Sequence, residues 1–90
     1  MKRIHVFIAG MVQGVFFRAH TRDKANELNL KGWVKNLSDG RVEVVAEGED
    51  SAIKELIKFL KSGPFGANVD HLDIEEEKYI GEFEFFEIKS

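Results

Sequence analysis

Residues 8 to 18 constrain the fold of this chain more than any other stretch. They read IAGMVQGVFFR, and they combine the end of an apolar run, a loop with a glycine on each side and the first turn of a helix. Upstream, Ile4, Val6 and Ile8 alternate with polar or aromatic neighbours, a period of two that predicts a strand covered on one face. The chain therefore enters the loop from a sheet and leaves it as a helix.

The loop has the features of a phosphate-binding site. Gly10 and Gly14 lack Cβ atoms, so backbone N–H groups between them can come close to a ligand. The unpaired N–H groups and the dipole at the start of a helix both favour an anion. Arg18, on the first helical turn, adds a planar and permanently charged fork that can hold two oxygens of one phosphoryl group. The alternative is a tight strand-to-helix connection, with Arg18 in a surface ion pair.

The rest of the chain alternates helical and strand patterns. The periodicity predicts a helix over 17 to 30 ended by Gly32, and a second helix over 51 to 61 with Asp50 as its N-cap. Strands are predicted at 32 to 37, 41 to 48, 69 to 77 and 83 to 88, the first two joined by a turn at Ser38-Asp39-Gly40 and the last with a bulge at Phe85-Phe86.

This order predicts an α+β fold, the ferredoxin-like βαββαβ sandwich, with a short extra C-terminal strand. Its sheet is mostly antiparallel and carries both helices on one face. The first and third strands lie centrally and the second strand lies at an edge. The end of the second strand, at Asn36, can therefore face the loop.

The composition of the chain excludes several kinds of functional site. Ninety residues make one domain over 1–90, and the absence of cysteine excludes disulfides, thiolate catalysis and Cys-based zinc sites. A net charge of -3 with scattered Lys and Arg argues against a nucleic-acid surface. No segment resembles a secretion leader or is long and apolar enough to span a membrane. We therefore expect a cytoplasmic protein that binds neither membrane nor nucleic acid, and we also expect it to be a monomer.

Two long motifs identify a family. The string Ile-x-Gly-x-Val-Gln-Gly-Val-x-Phe-Arg, from Ile8 to Arg18, closely resembles the signature of the acylphosphatase family. A second family-like string follows at Gly32-Trp33-Val34-Lys35-Asn36 and continues through Gly40 and Val42 to Gly48. Residues 63 to 69, with the pattern Gly-Pro-x-x-Ala-x-Val, resemble the family's connection into its fourth strand. The chain departs from the family at Ser90, where an aromatic residue is common.

The resemblance implies an activity and roles for named residues. The activity is hydrolysis of the carboxyl-phosphate bond of small-molecule acyl phosphates, without a metal or other cofactor. Arg18 matches the family's catalytic arginine, and Asn36 matches the catalytic asparagine, which would position the attacking water. The phosphoryl oxygens would be held by Arg18 and by backbone N–H groups of the loop, from Val12, Gln13, Gly14, Val15, Phe16 and Phe17.

Other interpretations of the same residues remain open. Asn36 can simply end a strand before a turn, and the Gln13 side chain can brace the loop instead of lining a pocket. RNA-recognition modules share the βαββαβ order, but the third strand here has glutamates and valines where stacking rings are needed. A module that binds an anion without turning it over, or a domain of a larger carbamoyl-transfer enzyme, would also fit. The three histidines are interpreted as surface or packing residues.

Overall fold

The computed structural model describes residues 1–90 as a five-stranded sheet with two helices on one face. The elements in chain order are β1 (Lys2–Met11), α1 (Phe17–Glu27), β2 (Lys31–Asn36), β3 (Val42–Gly48), α2 (Asp50–Ser62), β4 (Asn68–Glu77) and β5 (Phe86–Lys89). The strand order is β4-β1-β3-β2-β5, and only the pairing of β2 with β5 is parallel. This confirms the predicted ferredoxin-like fold with a short extra strand. Neither helix combines the length and apolar character needed to cross a membrane.

The core lies between the sheet and the helices. The apolar face predicted for β1 is buried, and across the β1–β3 ladder Ile4 pairs with Ala46 and Val6 with Val44. Helix α1 packs on β2 and β5, and α2 packs on β4, β1 and β3. Each helix buries one stripe of side chains at a spacing of three or four residues, namely Phe17, Thr21 and Ala25 in α1 and Ile53, Leu56 and Leu60 in α2.

The prediction that β2 forms a sheet edge is wrong. The C-terminal strand β5 pairs with β2 along its outer side, from Gly32–Phe86 to Lys35–Lys89, so that β5 is the edge. The strand starts at Phe86, not at residue 83, and contains no bulge. The alternation of apolar and polar residues is interrupted at Phe85-Phe86 because Phe85 precedes the strand and is exposed, whereas Phe86 is buried in the core. The sheet's register shift lies instead between Ala9 and Gly10, opposite β4.

The helix ends also differ from prediction. Helix α1 ends at Glu27, because Asn29 adopts a left-handed conformation with φ 58° and turns the chain into β2. Gly32 is therefore a strand residue, and a side chain there would collide with the Val45 carbonyl. Helix α2 begins at Asp50 with Glu49 as its N-cap and has no side-chain capping bond. The predicted turn at 38 to 40 is confirmed, with φ 96° at Gly40.

The sheet face opposite the helices carries an ionic network, which we call the open-face cluster and which consists of Arg3, His5, Glu43, Glu47, Glu77 and Glu82. Arg3 donates to Glu77 at 2.8 Å, to Glu47 at 3.2 Å and to Glu82 at 2.7 Å. Glu47 is only 2% exposed, because the segment at 78 to 85 crosses over it and the Ile80 N–H donates to its carboxylate at 3.0 Å. Glu77, the last residue of β4, accepts from Arg3 and contacts His5 at 3.1 Å, so the end of this strand is part of the network.

Candidate active site

A pocket of about 270 Å³ opens at the end of the sheet where the glycine-bracketed loop lies. Four segments meet there: the loop, the first turn of α1, the last residue of β2 and the outer strand β5. The residues that line the pocket are Val12, Gly14, Phe16, Phe17, Arg18, Ala19, Asn36 and Ile88. The topology therefore brings together Arg18 and Asn36, the two residues that the sequence singled out from different motifs.

The loop backbone leaves its N–H groups free. Gly14 has φ 75° and Phe16 has φ 58°, so the chain turns twice through left-handed conformations before the helix begins. None of the backbone N–H groups of residues 12 to 16 donates a hydrogen bond to another protein group, and the first bond of the helix runs from the His20 N–H to the Phe16 carbonyl at 3.0 Å. Unpaired donors in a loop ahead of a helix suit an anion.

The other glycine of the loop has a packing role. Gly10 has φ 132° and lies against the edge strand β4, where a side chain would collide with the Asn68 carbonyl. Around Gly14, by contrast, no atom lies close enough to meet an added Cβ. Gly10 therefore allows close approach of two backbones at the register shift, whereas Gly14 allows the turn of the loop.

Arg18 differs from the other arginines of the chain in having no acidic partner. Arg3 pairs with three glutamates, Arg22 with Asp23 and Arg41 with Asp39. The guanidinium of Arg18 makes one long contact, from Nη1 to the Lys89 carbonyl at 3.5 Å. The alternative of a surface ion pair for Arg18 is therefore wrong. Most of its five N–H donors remain available to a ligand.

Asn36 presents an unsatisfied acceptor to the same pocket. It is the last residue of β2, and it lies on the helix-side face two residues after buried Val34. Its Oδ1 atom is buried and has no hydrogen-bond partner. Buried polar atoms are nearly always paired in folded proteins, so an unpaired one in a pocket indicates a place for a ligand. A water donor is one such partner.

The Gln13 side chain is committed elsewhere. Its Nε2 atom donates to the Leu37 carbonyl at 2.8 Å and to the Arg41 carbonyl at 2.9 Å, so the amide joins the loop to the hairpin that follows Asn36. The Gln13 and Val15 side chains do not line the pocket, and Val15 packs against the hydrophobic core. Any part that these two residues have in binding phosphate must therefore come from their backbone N–H groups.

Charge in the pocket comes from one residue. Arg18 is the only ionisable side chain among the residues that line it, and the other polar side chain is Asn36. No group of three or more His, Cys, Asp or Glu side chains in residues 1–90 is arranged to hold a metal ion. The site thus combines one cation, free backbone donors and one amide, an arrangement that can bind a small dianion and a water beside it.

Comparisons with known proteins establish the family of the chain. The family model described as acylphosphatase matches residues 4–88. The chain belongs to the acylphosphatase family. It is 53% identical to the acylphosphatase of Syntrophus aciditrophicus over 88 residues, which cover 98% of this chain and 92% of the relative.

Solved acylphosphatase structures share the whole fold. The crystal structure of the Bacillus subtilis acylphosphatase matches with a TM-score of 0.96 at 33% identity and full coverage of both chains. The acylphosphatase of Coxiella burnetii matches with a TM-score of 0.92 at 46% identity, covering 98% of this chain and 92% of that chain. The predicted family is thereby confirmed, since sequence and structure give the same answer over nearly the entire chain.

Sequence reasoning missed two residues that line the pocket of this acylphosphatase-family chain. Ala19 follows Arg18 directly, and its place on the first helical turn could have indicated it. Ile88 comes from β5, which reaches the site only because it pairs with β2. Nothing in the local pattern of the C-terminal strand indicates that pairing. The departure from the family at Ser90 lies next to Lys89, whose carbonyl contacts Arg18.

Proposed function

We propose that this chain hydrolyses acyl phosphates in the pocket that contains Arg18 and Asn36. Membership of the acylphosphatase family supports the reaction. The observation that carries the residue assignment is that a guanidinium without an acidic partner and a buried, unpartnered amide oxygen line one pocket. Both groups are unsatisfied within the protein, and a bound phosphoryl group with a water beside it would satisfy both.

In the proposed reaction, the phosphoryl oxygens bind to Arg18 and to free N–H groups of residues 12 to 17. The Asn36 Oδ1 accepts a hydrogen bond from a water and orients it towards phosphorus. The water oxygen forms a bond to phosphorus while the bond from phosphorus to the carboxyl oxygen breaks. The products are a carboxylate, which leaves with the bonding electron pair, and dihydrogen phosphate, which keeps both protons of the water.

This small set of groups is sufficient for the chemistry. Phosphoryl transfer depends mainly on positioning and on stabilisation of charge on the phosphoryl oxygens. A carboxylate is a stable leaving group, so no general acid is required. The reaction as written uses only water and groups of this chain, and for that reason we propose that it proceeds without a cofactor.

We also propose that residues 1–90 act as one domain and as a monomer in the cytoplasm, on small molecules rather than nucleic acid. One of the two edge strands of the sheet, β4, carries exposed Asp70, Asp73 and Glu75, charges that discourage pairing with a second chain. The open-face cluster contains four glutamates around one arginine and one histidine. Such an acidic face disfavours contact with a polyphosphate backbone.

The test is hydrolysis of benzoyl phosphate in excess chelator by the purified protein, Arg18→Ala, Asn36→Ala and the control Arg22→Ala. Arg22 lies one turn further along α1 and pairs with Asp23 outside the pocket. We expect each pocket variant to lose about 100- to 1,000-fold in kcat/KM, because Arg18→Ala removes a group that stabilises transition-state charge and Asn36→Ala removes the group that positions the water. Arg22→Ala should retain parental activity, and circular dichroism should show all variants folded.

A different result would identify the rival function. If the parent is inert towards acyl phosphates but binds inorganic phosphate through Arg18, the protein is an anion-binding module and the hydrolysis proposal is wrong. If the parent is active and both variants keep that activity, the reaction is retained and the site assignment is wrong. If Arg18→Ala loses activity and Asn36→Ala keeps it, the role assigned to Arg18 stands and the role assigned to Asn36 is wrong.

A further inference from the structure

Phe16 has an unusual combination of properties. Its side chain is 79% exposed although it is a large apolar residue. Its backbone is left-handed, with φ 58° and ψ 25°, a conformation that is rare and costly for bulky side chains. It also lines the candidate pocket. Neither the exposure nor the backbone strain benefits folding, so the ring needs another explanation.

The pocket has a polar and an apolar part. Arg18 and Asn36 supply its only polar side chains, and the free N–H groups of the loop add to this part. The apolar lining includes the exposed Phe16 from the loop, Ala19 from α1 and Ile88 from β5. Once a phosphoryl group occupies the polar part, the remainder of a substrate has apolar neighbours and no second cation.

We propose that Phe16 forms the wall on which the acyl group binds, and that the preferred substrates carry an uncharged, apolar acyl group, with aromatic groups favoured over acetyl. This inference rests on the proposed function, because it assigns the acyl half of the same substrate. An aromatic acyl group binds more tightly because it covers the exposed ring of Phe16 and stacks on it. A second carboxylate on the acyl group finds no partner, because Arg18 is already used by the phosphoryl group.

Phe65 provides a matched control. It is likewise a large exposed apolar residue and lies in the connection between α2 and β4, but it does not line the pocket. If any exposed phenylalanine could attract an aromatic substrate, the two residues would behave alike. If position in the pocket decides, only Phe16 should affect the choice of acyl group.

The experiment measures kcat/KM for benzoyl, acetyl and succinyl phosphate in the parent, Phe16→Asn, Phe16→Tyr and Phe65→Asn. Asparagine tolerates the left-handed backbone, so Phe16→Asn removes the ring and leaves the loop intact. We expect its ratio of benzoyl to acetyl kcat/KM to fall about tenfold, the loss expected for one stacking and burial contact. Phe16→Tyr should keep the parental ratio, as should Phe65→Asn.

Inhibition by inorganic phosphate reports the loop separately. We expect the phosphate inhibition constant to be unchanged in Phe16→Asn, because the phosphoryl part of the site is untouched. If that constant also changes in Phe16→Asn, the ratio of benzoyl to acetyl kcat/KM is measured in Phe16→Leu, which keeps an apolar side chain at the same position. A ratio below the parental value in Phe16→Leu supports the proposal, and a parental ratio contradicts it.

Two results would overturn the inference while leaving hydrolysis established. The first is an unchanged ratio of benzoyl to acetyl kcat/KM in Phe16→Asn. The second is a parental preference for succinyl phosphate, whose extra carboxylate has no partner in the pocket. Failure of the proposed function is a different observation, since the parent would then hydrolyse none of the three compounds.

Discussion

The two arginines Arg3 and Arg18 lie in opposite kinds of surroundings. Arg3 donates to three carboxylates of the open-face cluster, which lies on the sheet face away from the helices. Arg18 has no acidic partner and makes a single long contact to a carbonyl. The difference teaches where this small fold gains stability and where it keeps groups available for a ligand.

The same contrast extends to the amide and carboxylate groups of the two regions. Glu47 is buried, yet it accepts from Arg3 and from the Ile80 N–H. Asn36 is partly buried, and its Oδ1 accepts from no group of the protein. Polar groups that are fully paired stabilise the native state, whereas unpaired ones cost stability unless a ligand pairs them.

The largest effect is expected from Arg18→Lys, compared with Arg3→Lys. Lysine keeps the charge but loses the planar fork that holds two phosphoryl oxygens. We expect kcat/KM for benzoyl phosphate to fall about 100-fold or more in Arg18→Lys, with an unchanged free energy of unfolding. Arg3→Lys should show the reverse, parental activity with a loss of about 2 kcal/mol in unfolding free energy, because three carboxylates lose their donor geometry. Urea titration and steady-state kinetics measure both.

If Arg3→Lys lost activity while it remained folded, the open-face cluster would be coupled to the pocket and the division between the regions would be wrong. If Arg18→Lys were markedly less stable than the parent, Arg18 would have a structural partner that its single contact to Lys89 does not indicate. Either result would contradict the contrast directly.

The next effect in size is on stability and comes from Glu47→Leu. The substitution leaves the Ile80 N–H without an acceptor and removes one carboxylate from Arg3. We expect a loss of about 2 kcal/mol in the free energy of unfolding, measured by urea titration. Glu76→Leu is the control, since Glu76 is exposed and its nearest cation, Lys2, is 3.9 Å away. It should change stability by about 0.5 kcal/mol at most.

A smaller effect is expected at the junction of the loop with the hairpin. Gln13→Met nearly preserves the side-chain volume but removes the amide that donates to the Leu37 and Arg41 carbonyls. We expect a loss of about 1 to 2 kcal/mol in unfolding free energy. Because Asn36 adjoins Leu37, kcat should also fall, whereas phosphate inhibition through Arg18 should persist. A parental kcat would show that the bridge does not help to place Asn36.

Much of the fold could be predicted from local patterns. The alternation of Ile4, Val6 and Ile8 marked the strand, and the Asp39-Gly40 pair marked the hairpin. The helix stripes followed from their period. The wrong predictions concern residues whose role depends on tertiary contacts. The local pattern predicts a helix end at Gly32, but the glycine is needed because β2 passes close to the Val45 carbonyl there.

The site was predictable in its residues but not in its complete shape. Arg18 and Asn36 were identified because their motifs are long, and the topology then brought both to one pocket. Ile88 was missed because parallel pairing of β5 with β2 leaves no local sequence signal. The glycines and the helix start predict the free N–H groups of the loop. A role for the exposed ring of Phe16 can be inferred only from its position in the pocket, which the local sequence does not predict.

The smallest predicted effect is the pH dependence that His5 confers on stability. Its Nε2 lies 2.6 Å from a Glu43 oxygen and its Nδ1 lies 3.1 Å from a Glu77 oxygen, and only the protonated ring can donate to both. Burial acts to lower the pKa of His5, but the bonds to these glutamates outweigh it and raise the pKa above its ordinary value of 6.5.

A raised native pKa gives a stabilisation that is complete below pH 6.5 and is lost as the pH rises through the native value. The pKa of Glu77 is lowered by its bonds from Arg3 and His5, so its own contribution is present above pH 4.5 and is lost in acid. The cluster should therefore stabilise most between these limits. We expect the unfolding free energy to fall by about 1 kcal/mol or less above pH 6.5, and His5→Gln to abolish that fall. If the unfolding free energy of His5→Gln fell with pH as much as that of the parent, a group other than His5 would be responsible for the pH dependence.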